Sequence, residues 1–180
     1  MSSVLDFMKS RSGMVLLELF LSNPESEFYQ SEIARKSGLS RATSLKWLGR
    51  LVELNMLLSS RKAKTVFYEL NLENPVVRQL KILLNVSKIY GCLNELGDSR
   101  AEVYLYGSVA RGEDVKESDV DILILGRLDS GKKAGFAERA EKATGKEVKL
   151  LVMTPVEYSN LIRKDRIFYE NVEKNKIRLL

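Results

Sequence analysis

Apolar residues fall at helical spacing through the first half of the chain and in short β-rich runs through the second. Residues 14–21 place Val15, Leu16, Leu19 and Phe20 on a helix, and Asn23-Pro24 stops it, because proline disfavours helix in the residue before it. A second helix is predicted over 30–36, with Ile33 and Ala34 inward and Gly38 able to take the left-handed conformation that ends a helix. Ser40 then caps a third, 41–54, whose inner face carries Leu48, Leu51 and Leu54 and which Asn55 ends. Runs 56–59 and 65–70 are β-prone and flank Ser60-Arg61-Lys62-Ala63-Lys64, a hairpin with a basic tip. Pro75 opens a long helix running toward Leu96, apolar at Val76, Leu80, Leu83, Leu84 and Ile89.

Beyond it, 103–106 and 120–125 read as strands, 132–144 as a helix with Phe136, Ala137, Ala140 and Ala143 inward, and 147–153 as a third strand. Thr154-Pro155-Val156-Glu157 has the form of a capping box with proline at the first helical position, so another helix starts there and buries Leu161 and Ile162. The tail after Asp165 alternates charge with Ile167, Phe168, Ile177 and Leu179 and indicates packing or partner contact only. The pattern predicts an α+β chain of two domains, 1–73 and 98–180, joined by a connector helix over 74–97.

Composition narrows the chemistry. With 180 residues, 44% hydrophobic and 29% charged, the chain has the make-up of a globular protein. No segment has the ~20 apolar residues that span a bilayer, and 1–13 lacks an apolar leader core, so a cytoplasmic location without membrane contact is expected. The single cysteine, Cys92, reads as a small core residue, and the absence of histidine argues against zinc and against a Ser-His-Asp triad. What remains is carboxylate chemistry with a hard metal. Net charge is +5, yet residues 35–64 hold eight Lys and Arg (Arg35, Lys36, Arg41, Lys46, Arg50, Arg61, Lys62, Lys64) against Glu53, so 8 − 1 gives +7 in that segment alone.

One stretch looks built for chemistry: residues 104–125, Y-L-Y-G-S-V-A-R-G-E-D-V-K-E-S-D-V-D-I-L-I-L. A strand ends at Gly107-Ser108, and a second opens on Asp119 and Asp121, which share a face because strand side chains alternate. Two carboxylates on one face suit a divalent metal. Gly107 lets backbone approach a ligand, and Ser108 begins a helix, whose free N–H groups suit phosphate.

Gly107-Ser108, Ala110-Arg111-Gly112 and Ser118-Asp119-Val120-Asp121 resemble the G-S-x-A-R-G…S-D-x-D signature of minimal nucleotidyltransferases of the DNA polymerase beta superfamily. The resemblance spans about 93–155 and implies a mixed β-sheet with flanking helices. It also implies a nucleoside triphosphate such as ATP seated on Gly107 and Ser108, and Mg²⁺ on Asp119 and Asp121 as metal-binding and catalytic residues. Arg111 would meet phosphate or form a structural salt bridge. Active members carry a third carboxylate on the next strand; the position aligned with it is Lys149, while Glu147 lies two residues earlier. A lysine repels Mg²⁺ but can pair with phosphate.

The N-terminal half resembles winged helix-turn-helix domains: 31–51, S-E-I-A-R-K-S-G-L-S-R-A-T-S-L-K-W-L-G-R-L, matches their two central helices and 61–64 the wing. That resemblance implies double-stranded DNA as a partner, with Arg41, Thr43, Lys46, Trp47 and Arg50 on the recognition helix and Arg61, Lys62 and Lys64 on the wing. Protein docking is the alternative use of such a module. Together these expectations describe a DNA-binding transcriptional regulator whose second domain binds nucleotide with Mg²⁺, and which pairs as a homodimer along the connector helix. The alternative is a working enzyme that moves a nucleotidyl group, AMP for example, to a protein or small-molecule hydroxyl, with the winged helix as its docking module.

Overall fold

The computed structural model describes residues 7–97 and 100–180. Residues 1–6 of the expected leaderless start, and the expected domain boundary at residue 98, lie outside the described residues. The chain divides into two compact units, Met1–Arg78 and Gln79–Leu180, and the division falls inside a helix. Both units mix helices with a sheet, giving an α+β protein. No helix among the described residues is long and apolar enough to cross a membrane.

The first unit runs helix, strand, helix, helix, hairpin: α1 (Arg11–Leu21), β1 (Phe28–Tyr29), α2 (Gln30–Ser37), α3 (Arg41–Glu53), β2 (Leu57–Lys62) and β3 (Thr65–Leu70). The strands form a three-stranded antiparallel sheet ordered β1-β3-β2. Ser10 and Ser40 cap α1 and α3 by accepting from Gly13 N and Thr43 N, and Gly38 ends α2 at φ +68°. The core is Leu16, Leu17, Phe20, Phe28, Ile33, Leu48, Leu51, Met56 and Leu57. Helix α1 starts earlier than its apolar spacing predicts and turns Leu17 inward while Leu19 is half-buried, since the facing helices set which stripe is covered. The hairpin also closes more tightly than expected. Its strands extend to Lys62 and Thr65, which puts Arg61 and Lys62 on β2 and leaves Ala63-Lys64 as the turn.

Helix α4 (Pro75–Tyr90) opens at Asn74, whose side-chain oxygen accepts from Val76 N while its amide donates to Asn55 O. The helix stops at Tyr90, and a 3-10 turn covers Leu93–Leu96. The second unit continues as β4 (Glu102–Tyr106), α5 (Gly107–Arg111), β5 (Val120–Leu125), α6 (Ser130–Thr144), β6 (Val148–Met153), α7 (Pro155–Lys164), α8 (Arg166–Asn175) and β7 (Ile177–Arg178). Its mixed sheet has the order β6-β5-β4-β7, with only β5 and β6 parallel.

Because side chains alternate, β5 feeds two cores. Val120, Ile122 and Ile124 pack with Val103, Leu105, Ile89, Leu96, Phe136 and Ala140 on one face. Leu123 and Leu125 pack with Tyr158, Val172, Leu161 and Phe168 on the other. Burying each large apolar side chain contributes about 1.5–3 kcal/mol. A strand apolar on both faces is what a covered parallel pair needs, so β5 reads as a nearly continuous hydrophobic run. Only Asp121 interrupts it.

The tail does more than pack. Ile177 and Arg178 pair with Leu105 and Tyr104, which closes the open edge of β4. In α7 it is Tyr158 that is buried, whereas Ile162 is exposed, and in α6 Ala143 is exposed.

Candidate nucleotide site and basic surface

Strand register brings the expected site together. Tyr106 on β4 lies opposite Asp121 on β5, and Asp121 lies opposite Lys149 on β6, so the three share one row and one sheet face. Lys149 Nζ forms an ion pair with Asp119 Oδ2. Burial raises the pKa of Asp121; Lys149 opposes the rise, Asp119 adds to it, and Arg111 opposes it. The hydrogen bond to Asp119 raises that of Lys149, so the ammonium stays charged throughout the neutral range. Burial, with the Asp121 charge beside it, pushes the Tyr106 phenol up to about 12.

Gly107 is where β4 turns into α5, at φ +74°. A Cβ there would run into the Asp121 carboxylate, so this position combines a left-handed backbone with a close approach, and glycine meets both demands. Ser108 and Arg111 sit on the short helix α5, which Gly112 closes at φ +66°. Arg111 Nε pairs with Glu113 Oε2 at 2.6 Å, the salt bridge that was one of its two expected roles, while its charge still acts on Asp121. Ser118 is structural: its hydroxyl accepts from Val115 N at 2.9 Å and closes the turn that leads to Asp119.

Sequence reasoning missed the group that fixes this loop. Asp114 is 4% exposed, and its Oδ1 faces Lys81 Nζ at 3.4 Å and accepts from Asn85 Nδ2 at 3.2 Å. Its Oδ2 faces Lys146 Nζ at 3.5 Å. Lys81 also donates to the Asp114 carbonyl at 2.5 Å, and Lys146 to the Val115 carbonyl. These contacts tie the loop between α5 and β5 to α4 and to the start of β6. The available signal was Lys81 and Asn85 four residues apart on the same face as the core residues Val77 and Ile89.

A cavity of about 500 Å³ opens beside Asp121 and Lys149, lined also by Tyr106, Leu151, Leu161, Asp165 and Phe168. The Tyr106 and Phe168 rings meet edge to face at 6.0 Å. Apart from Asp121, Lys149 and Asp165 the lining is largely apolar.

In the first unit, Arg41, Lys46, Arg50, Arg61, Lys62 and Lys64 are exposed. Arg41 Nη2 donates to Gln30 Oε1 at 3.5 Å, Arg61 Nε donates to the Ala63 carbonyl at 3.4 Å, and Lys62 pairs with Glu27 at 2.5 Å. Thr43 and Trp47 are placed differently. The Thr43 hydroxyl is 2.9 Å from that of Ser40, and Trp47 is half-buried with its ring edge to face with Phe7 at 5.1 Å.

One comparison concerns the second unit. Residues 86–172 match the family model of the nucleotidyltransferase domain. The segment covers β4 through most of α8, including the whole Gly107-to-Lys149 constellation. Two solved structures resemble parts of the chain. One is NolR from Sinorhizobium fredii, 27% identical over 49% of this chain and 81% of that one, with a TM-score of 0.39. The other is a toxin-antitoxin with AMP-PNP, 23% identical over 53% of this chain and 73% of that one, also at 0.39. At such TM-scores neither alignment defines a fold for this chain. No curated protein matches it.

Nucleotidyltransferase domains generally use a nucleoside triphosphate and a divalent metal. Two carboxylates on one strand end fit Mg²⁺ that arrives with a triphosphate, because Mg²⁺ takes one or two carboxylates and completes its shell with phosphate oxygens and water. They do not form an all-protein cage. Among the described residues no group of three His, Cys, Asp or Glu side chains is placed to hold a metal.

Proposed function

We propose that the protein is a DNA-binding regulator whose nucleotidyltransferase domain binds a nucleoside triphosphate with Mg²⁺ and does not transfer it. The observation that carries this reading is Lys149, an ammonium opposite Asp121 and paired with Asp119, where a transferring site needs a third acceptor. Asp119 and Asp121 would hold the metal, whose chemistry when bound would be to neutralise phosphate charge. The Gly107 turn and the Ser108 hydroxyl receive phosphate oxygens, and Arg111 adds positive charge beside them. The base enters the cavity next to Tyr106 and Phe168, whose phenol and ring stay neutral and apolar at working pH. Lys149 carries a proton at neutral pH, so it does not replace a carboxylate that would take the proton of an attacking hydroxyl.

The first unit supports the regulatory half of the reading. Helix, strand, helix, helix and hairpin is the element order of a winged helix-turn-helix, and the +7 segment falls on α2, α3 and the hairpin. We assign DNA contact to Arg41, Lys46, Arg50, Arg61, Lys62 and Lys64, and leave Thr43 and Trp47 to capping and packing. Leu83 and Tyr90 are exposed on the second unit's part of α4, which supports pairing of two copies along this helix, and light scattering at the monomer mass would remove that pairing.

The test is equilibrium binding of the full chain to duplex DNA across a salt series. Lys46→Ala with Arg50→Ala should weaken binding and flatten the dependence of log K on log salt by about 2 if both residues meet phosphates. Binding that ignores both the substitutions and salt removes the DNA reading. Covalent transfer of label from α-labelled ATP, lost in Asp119→Asn, would overturn the binding-only half and favour an enzyme.

A further inference from the structure

We infer that Lys149 is a tethered counter-cation that closes the Asp119 and Asp121 pair to a bare divalent ion and yields it to a metal–triphosphate complex. The inference rests on the nucleotide-binding reading above and adds an order to it: metal and triphosphate enter together. Parallel pairing of β5 with β6 sets Lys149 directly opposite Asp121, one strand spacing away and on the same face. From there its ammonium reaches Asp119, so one cation faces both carboxylates. A bare divalent ion entering this pair must break the Lys149–Asp119 contact and then sit beside a displaced positive charge. Both effects oppose it.

A triphosphate changes the balance. It brings several anionic oxygens to the place where the ammonium would be stranded, and Lys149 can exchange Asp119 for phosphate. The side chain is suited to the exchange: it is 56% exposed, and its flexible four-carbon stem carries a compact charge. Asp119 is then freed for the metal at the moment the phosphates bring it. Linkage makes the effect reciprocal, so the metal raises affinity for triphosphate by the factor that triphosphate raises affinity for the metal. The same geometry states what removes the device. A neutral residue at 149 leaves two unpaired carboxylates open to a bare ion, and a carboxylate there makes three.

Mn²⁺ is the probe, followed by water-proton relaxation enhancement, which separates slowly tumbling protein-held Mn²⁺ from Mn²⁺ on free ATP. The full chain, Lys149→Met and Lys149→Asp are titrated with Mn²⁺ alone and with Mn²⁺ and ATP, after circular dichroism shows that each is folded. The expected result is negligible uptake of Mn²⁺ alone by the unmutated protein, uptake at least about tenfold tighter by Lys149→Met, and tighter still by Lys149→Asp. ATP should restore uptake in the unmutated protein and add much less in the variants. No gain on removing the lysine overturns the inference while leaving nucleotide binding intact if ATP still binds. A gain in Lys149→Met without any ATP-dependent uptake by the unmutated protein overturns both the exchange and the nucleotide reading.

Discussion

Replacing Asp114 with alanine tests whether the loop that carries the site is held by its buried charges. Asp114 is 4% exposed and its partner Lys81 is 2% exposed, so the substitution takes the counter-charge from an interior ammonium that keeps its hydrogen bond to the residue 114 carbonyl. Breaking a buried pair by removing one partner is destabilising by about 3–5 kcal/mol. Lys146 adds less, because its side chain is 13% exposed and can turn toward water, and the lost Asn85 hydrogen bond adds about 1 kcal/mol. Differential scanning calorimetry should therefore show a Tm lower by roughly 12 °C or more, at about 4–8 °C per kcal/mol for a domain of 60–100 residues. Lys81→Met in the Asp114→Ala background should recover a large part of the loss, since it removes the buried charge and fills the space with a chain of similar length. A loss below about 1 kcal/mol for Asp114→Ala, or a double variant as unstable as the sum of the singles, would refute the reasoning.

Three further outcomes follow from single positions. Gly107→Ala should lower stability by at least about 1–2 kcal/mol from the left-handed backbone alone, with displacement of Asp121 added, and should abolish nucleotide binding; unchanged urea unfolding would contradict this. Asp121→Asn should raise Tm at pH 7. The folded pKa of this acid lies above its unfolded value, so stability falls as pH rises from about 3.8 through the folded pKa, and the advantage of the variant should disappear as pH is lowered back through that window. A lower Tm for the variant at pH 7 would contradict this and show that the attraction of the Lys149 charge outweighs burial. Thr154→Ala should reduce stability by about 1 kcal/mol by removing the capping box at α7, read as a shift in denaturant midpoint at constant m-value.

Local chemistry made much of the fold legible. The Ser40 cap, the left-handed Gly38, Asn55 and Gly145, and the Thr154 to Glu157 box each act within four residues, so sequence alone places them. The shared face of Asp119 and Asp121 follows from strand periodicity, and the parallel neighbour of β5 confirms Lys149 as the residue that faces them. Long-range partners were not legible. Asp114 looks like any loop acid until Lys81 and Lys146, far apart in sequence, close on it. Ile177 and Arg178 carry too short a run to announce an edge strand, and Trp47 turns toward Phe7 because packing overrides its place beside the outward face of α3. In each case the deciding contact depends on tertiary placement, which no short window of sequence contains.

The central claim is that a triphosphate binds at the row of Tyr106, Asp121 and Lys149, and calorimetric titration of ATP with Mg²⁺ addresses it most directly. The unmutated chain and the Asp119→Asn, Asp121→Asn double variant are compared under identical conditions, the variant lacking both carboxylates that would hold the metal. The account predicts saturable binding by the unmutated chain and a large loss of affinity in the double variant. Silence from the unmutated chain with ATP, GTP, CTP and UTP alike, or equal affinity in both proteins, would contradict it.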